Sequence, residues 1–139
     1  MDKVQNNSFI QEAEAVIENS FVALSLMCNS KFKLETSGSG EIYKIFCIRE
    51  NFDGSHIYDD ILIRAIVLRK QNSEGDGMIK IDLPRKFFKS GIIFHNKLKG
   101  IKINQSYYNW YIDAYTIDEA NRVIDVAIQK IIKEYRMVH

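Results

Sequence analysis

Proline is almost missing from this chain: Pro84 is the single one, and only seven glycines accompany it. That scarcity argues against collagen-like repeats and Pro/Gly-rich disorder, and for a folded domain. Cysteine is nearly as rare. Cys28 and Cys47 both sit in apolar stretches and neither belongs to a C-x-x-C pair, so the sequence has no disulfide framework or zinc ribbon. Two reduced core thiols in a cytosolic protein are the expectation. Long apolar runs are absent too. Phe21 to Cys28, the longest, is broken by Ser25 and is far shorter than the ~20 residues of a membrane span. The opening Met1-Asp2-Lys3-Val4-Gln5-Asn6-Asn7 lacks the basic start and apolar centre of a signal peptide. A cytoplasmic location with no membrane partner is therefore expected, and residues 1–7 are expected to be flexible.

Signatures of catalysis are equally scarce. Gly38-Ser39-Gly40 precedes a strand-like segment and lacks a following Lys-Ser/Thr, so it is not a phosphate-cradling loop. The chain contains no G-x-S-x-G, no H-E-x-x-H and no His/Cys ligand cluster, and His56, His95 and His139 are isolated. No cofactor is expected. One acidic group needs weighing, because Asp53, His56, Asp59 and Asp60 crowd a single loop where oxygen ligands could hold a divalent cation for hydrolysis. Arg64, Arg69 and Lys70 do not supply the acid-x-lysine pair of metal-dependent nucleases, and the loop lacks an EF-hand's twelfth-position glutamate. A solvated loop is the simpler reading.

What the sequence does have is the makeup of one globular domain over residues 1–139, 46% hydrophobic and 27% charged. At that length roughly two-thirds of the unfolded surface can leave water without disulfide or metal support. Apolar residues at Ile10, Ala13, Val16, Ile17, Phe21, Leu24, Met27 and Cys28 recur at helical spacing. Ser8-Phe9-Ile10-Gln11 has the capping-box pattern, which places a helix at about 8–28. A second box, Thr116-Ile117-Asp118-Glu119, opens a helix that buries Ala120, Val123, Ile124, Ala127, Ile128, Ile131 and Tyr135.

Between the helices the pattern is of strands. Segments 41–49 and 61–69 are apolar on both faces, as interior strands are. They are joined by the polar stretch Glu50–Asp60, and the loop Gln71–Gly77 closes a hairpin into 78–83, where Ile79, Ile81 and Leu83 alternate with Lys80 and Asp82. Pro84–Ser90 reads as one helical turn, 92–104 as one interrupted strand or two short ones, and Tyr107–Tyr115 as the last strand, with Tyr108, Trp110, Ile112 and Ala114 inward. The expected fold is α+β: a five- to six-stranded, mostly antiparallel sheet with the N- and C-terminal amphipathic helices on one face. The other face of the doubly apolar strands then needs a cover, such as a second copy of the chain or another protein.

Two surfaces stand out. Tyr107, Asn109, Tyr111, Asp113 and Tyr115 alternate along the last strand, and tyrosine joins a large apolar area to a hydroxyl at little entropic cost, which suits protein interfaces. If a helix covers them, they are ordinary core. Second, the net charge of +1 conceals a split: residues 1–60 have five Lys/Arg against ten Asp/Glu, and residues 61–139 fourteen against eight. Arg85, Lys86, Lys89, Lys97, Lys99 and Lys102 lie among half of the sixteen aromatics, a mixture that meets phosphates with cations and bases with rings. No RNA-recognition fingerprint accompanies it. The expected function is a small binding protein of inhibitor, immunity or adaptor type with no catalysis of its own, working through contacts with another protein or with a second copy of itself as a homodimer. Nucleic-acid binding through 85–115 is the alternative, and a metal-dependent hydrolase at 53–60 the third.

Overall fold

The computed structural model describes residues 2–27, 32–38, 43–50, 61–68 and 77–137. Helix α1 spans Asp2–Met27 and helix α2 Ile117–Met137. Between them come strands β1 (Phe32–Ser37), β2 (Tyr43–Glu50), β3 (Ile61–Leu68), β4 (Met78–Pro84), β5 (Asn104–Gln105) and β6 (Asn109–Ala114). They form one open antiparallel sheet in the order β1-β2-β3-β4-β6-β5, giving the α+β fold the pattern predicts.

Helix α2 starts where its capping box says. Thr116 Oγ1 accepts from the Glu119 backbone N–H and donates to the Glu119 carboxylate, both at 3.1 Å. Helix α1 instead begins at Asp2, upstream of the Ser8 box, so most of the stretch expected to be flexible is helical. Nothing in residues 2–7 breaks a helix: neither proline nor glycine occurs there, and Asp2 suits the positive end.

Helix α1 packs on β1, β2 and β3, α2 packs on β4 and β6, and the helices touch each other. Ile10, Ala13, Ile17, Phe21 and Leu24 of α1 meet Val123, Ile124, Ala127 and Ile131 of α2 and the inward strand residues Phe46, Ile48, Ile63, Ala65, Val67, Ile79, Ile81, Leu83, Trp110, Ile112 and Ala114 in one core. Those inward positions follow from register: Phe46 faces Ala65, Ile48 faces Ile63, Val67 faces Ile79 and Ile81 faces Ile112. The doubly apolar strands β2 and β3 are interior, as expected. Gly38 at the end of β1 has φ +111°, and a Cβ there would lie 2.7 Å from the Tyr43 carbonyl oxygen, so both backbone and space demand glycine.

The segment 92–104 is not the strand or strands its composition suggests. It forms 3-10 turns at Ser90–Phe94 and Asn96–Leu98 and only then the two-residue β5. Ile92 and Leu98 are buried against the helical layer, and the Arg122 guanidinium of α2 donates to the Lys97 and Lys99 carbonyls, at 2.9 Å each. Backbone acceptors that a sheet neighbour would have satisfied are taken by a helix side chain. The turn after Pro84 does form, closed by Phe88 N–H donating to the Pro84 carbonyl at 2.9 Å. No helix among the described residues is long and apolar enough to cross a membrane.

Candidate functional site

With both helices on one side of the sheet, the opposite face is lined by side chains at alternate positions, and register sorts them into rows. At one end Tyr43, Leu68 and Met78 lie side by side, followed by Ile45, Ile66 and Lys80. Cys47, Arg64, Asp82 and Tyr111 form the next row, and Pro84 beside Asn109 the last. The face thus has an apolar end and a polar end. Tyr43 is exposed, while Ile45, Ile66, Leu68 and Met78 are half-buried. Among the described residues no helix or strand packs over them.

The polar end is organised around one ion pair. Arg64 Nε and Nη2 both donate to Asp82 Oδ2, at 3.1 and 2.7 Å, and the Asp82 residue is only 8% exposed. Next to it opens a cleft of about 610 Å³ lined by Arg64, Asp82, Arg85, Lys86, Tyr107 and Tyr108, with Ile61, Pro84 and Asn109 completing the wall. Among the described lining residues, three cations face one carboxylate.

The far wall of this cleft is a tight turn. Gln105 pairs with Trp110, the Ser106 N–H donates to the Asn109 carbonyl at 2.8 Å, and the Asn109 N–H donates to Ser106 Oγ at 3.1 Å. Tyr107 and Tyr108 therefore occupy the two central positions of the β5–β6 hairpin. Their rings meet edge to face, 4.6 Å between centroids, and the residues are 82% and 74% exposed. Arg85 fixes this turn from below: its N–H donates to the Tyr108 carbonyl at 2.8 Å and its Nη1 to the Ser106 and Tyr107 carbonyls, both at 3.1 Å. The guanidinium lies 5.1 Å from the centre of the Trp110 ring, whose Nε1 donates to the Phe88 carbonyl at 2.8 Å.

The expected tyrosine strip is divided by this geometry. Asn109, Tyr111 and Asp113 lie half-buried on the face away from the helices, with Lys80 Nζ 5.3 Å from the Tyr111 ring centre. Tyr107 belongs to the turn rather than to the strand, and Tyr115 follows β6 and is exposed. Tyr108, read from its alternation as core, is exposed as well. The turn interrupts the period-2 pattern before Asn109, so Tyr108 never enters the sheet.

Nor do the six basic residues form one surface. Arg85 and Lys86 line the cleft, Lys89 lies beside Lys130 and Lys133 of α2, and Lys97 pairs with Asp125 at 2.6 Å. Lys99 and Lys102 are exposed in the connection to β5. Asp53, His56, Asp59 and Asp60, with the Glu50–Asp60 and Gln71–Gly77 loops from residue 51 and up to residue 76, lie outside the described residues, as do Cys28, the Ser39-Gly40 end of the first turn and the Tyr135 side chain. Among the described residues no group of three or more His, Cys, Asp or Glu side chains is placed to hold a metal ion. Cys47 is buried.

Arg64, Asp82 and Tyr108 are the cleft residues that sequence reasoning missed. Arg64 and Asp82 meet only because β3 and β4 pair in the register that sets them opposite each other. No protein-family model, curated protein or solved structure matches the chain.

Proposed function

We propose that this chain is a non-catalytic binding protein working through protein contacts on the open face of its sheet, and that the apolar end of that face is occupied by a second copy of the chain. The observation behind this reading is the cluster Tyr43, Ile45, Ile66, Leu68 and Met78, contiguous across three strands on the side the helices do not cover. Apolar surface gathered on one sheet face is stabilised by packing against another, and two sheets commonly stack about 10 Å apart with their strands nearly aligned.

An apolar cluster is its own complement: a second copy related by a two-fold axis presents the same five side chains to it, which is why a copy of the chain is the cover proposed.

Sedimentation velocity from micromolar concentration to about 100 µM tests the proposal by mass action. Twice the chain mass is expected at the upper end, together with a monomeric Ile66→Asp variant of unchanged circular dichroism. A monomer across the whole range overturns it.

A further inference from the structure

Tight two-residue hairpins favour Gly, Asn and Asp at their central positions, because the backbone there leaves the right-handed regions. This chain places Tyr107 and Tyr108 at those positions instead, and neither ring contributes to the core. Three features make this tip more than a stray pair of rings. Arg85 ties the carbonyls of Ser106, Tyr107 and Tyr108 to the end of β4, so the backbone that carries the rings is held before any ligand arrives. Both rings border the 610 Å³ cleft, a size that suits a small ligand. Among the described residues that line the cleft, Arg64 and Lys86 carry cationic groups beside one carboxylate, Asp82, which Arg64 pairs.

We infer that this cleft binds a phosphorylated nucleobase, either a free nucleotide or one unit of a single strand, with the base stacked on Tyr107 or Tyr108 and the phosphate beside Lys86 and Arg64. A purely anionic peptide would use the cations but leave the rings idle. A neutral aromatic ligand would use the rings but make no use of the cations. A nucleotide uses both. The inference does not depend on self-association, because the cleft lies at the opposite end of the strands from the Tyr43–Leu68–Met78 row.

Fluorescence anisotropy of the full chain with a short labelled oligothymidylate tests it, with uridine monophosphate and oligoglutamate as competitors. Binding is expected at about 50 mM salt and should weaken at least about tenfold by about 200 mM, as displaced counterions drive it. Tyr107→Ala and Tyr108→Ala together should weaken it by more than about tenfold, Tyr107→Phe should keep it, and Lys86→Gln should flatten the salt slope by about one. Matching denaturation midpoints establish that the variants are folded. Displacement by uridine monophosphate identifies a free nucleotide as sufficient, and displacement only by unlabelled oligothymidylate identifies the single strand. No binding at about 50 mM salt, equal competition by oligoglutamate, or tyrosine variants that bind as the wild type each overturn the inference.

Discussion

The two faces of this sheet are made from the same strands yet obey different rules. On the helix side every strand position from Ile63 and Val67 to Ile81 and Ile112 is apolar and almost fully buried. On the other side Ile66 and Leu68 share a strand with Arg64, Lys80 with Asp82, and Tyr111 with Asp113. Burial alone explains the first face, since each full side chain removed from water is worth about 1.5–3 kcal/mol. It does not explain the second, where an apolar end, a nearly buried ion pair and an aromatic cleft follow one another along the strands. The covered face accounts for why the chain folds. Among the described residues the open face has no such account, and that difference is why the proposed function is placed there.

The largest test of the contrast applies one chemical change to the covered face. Ile63→Thr trades a fully buried side chain for a smaller one with a hydroxyl that finds no water, and should lower unfolding free energy by about 3 kcal/mol. Urea denaturation measures it. The ion pair comes next. Arg64→Ala leaves the Asp82 carboxylate nearly buried without its partner, which should lower stability by about 2 kcal/mol, discounted from the fully buried case because the Arg64 side chain is 39% exposed. Adding Asp82→Ala to that variant should recover part of the loss, since the stranded charge is gone. A double-mutant cycle by denaturation reads the coupling, and additive losses would show that the pair contributes nothing.

Thr116→Ala lies on neither face and calibrates both. Removing the cap of α2 should lower stability by about 1 kcal/mol, seen in the same denaturation series. This cap is also where the sequence was most legible. A hydroxyl three residues before a glutamate is a local signal, and the structure makes its cap bond, from the Glu119 N–H to Thr116 Oγ1, while the Glu119 carboxylate accepts from the Thr116 hydroxyl. The alternation of Ile79, Ile81 and Leu83 was legible for the same reason, as was the interior place of β2 and β3 in the sheet. Ile92, Ile93 and Phe94 misled because apolar composition does not report backbone geometry. There the backbone bonds are local, Ile92 N–H to the Lys89 carbonyl and His95 N–H to the Ile92 carbonyl, and Arg122 of α2 takes the Lys97 and Lys99 carbonyls that follow. Tyr108 misled because the Tyr–Tyr tip has none of the usual turn residues, so the alternation seemed to run through it. The cleft was illegible for a different reason. Its parts come from β3, β4 and the β5–β6 turn, and only strand register brings Arg64 to Asp82.

The smallest expected effect is the most informative. Ile66→Thr makes the change of Ile63→Thr on the same strand, three residues on and on the opposite face, where Ile66 lies between Ile45 and Lys80. Threonine keeps the branched Cβ that strands favour, and its hydroxyl can reach water from a half-buried position, so the isolated chain should lose only about 0.5 kcal/mol. A face that is simply solvated predicts nothing more. A face that packs on a second copy predicts a concentration dependence, because association stabilises the folded state by mass action. The wild-type Tm should then climb as protein concentration rises, and the Ile66→Thr curve should fall progressively below it while the two meet at the dilute limit. Parallel curves at every concentration would return the open face to ordinary surface and leave the cleft at its far end as the part of the sheet with a function to explain.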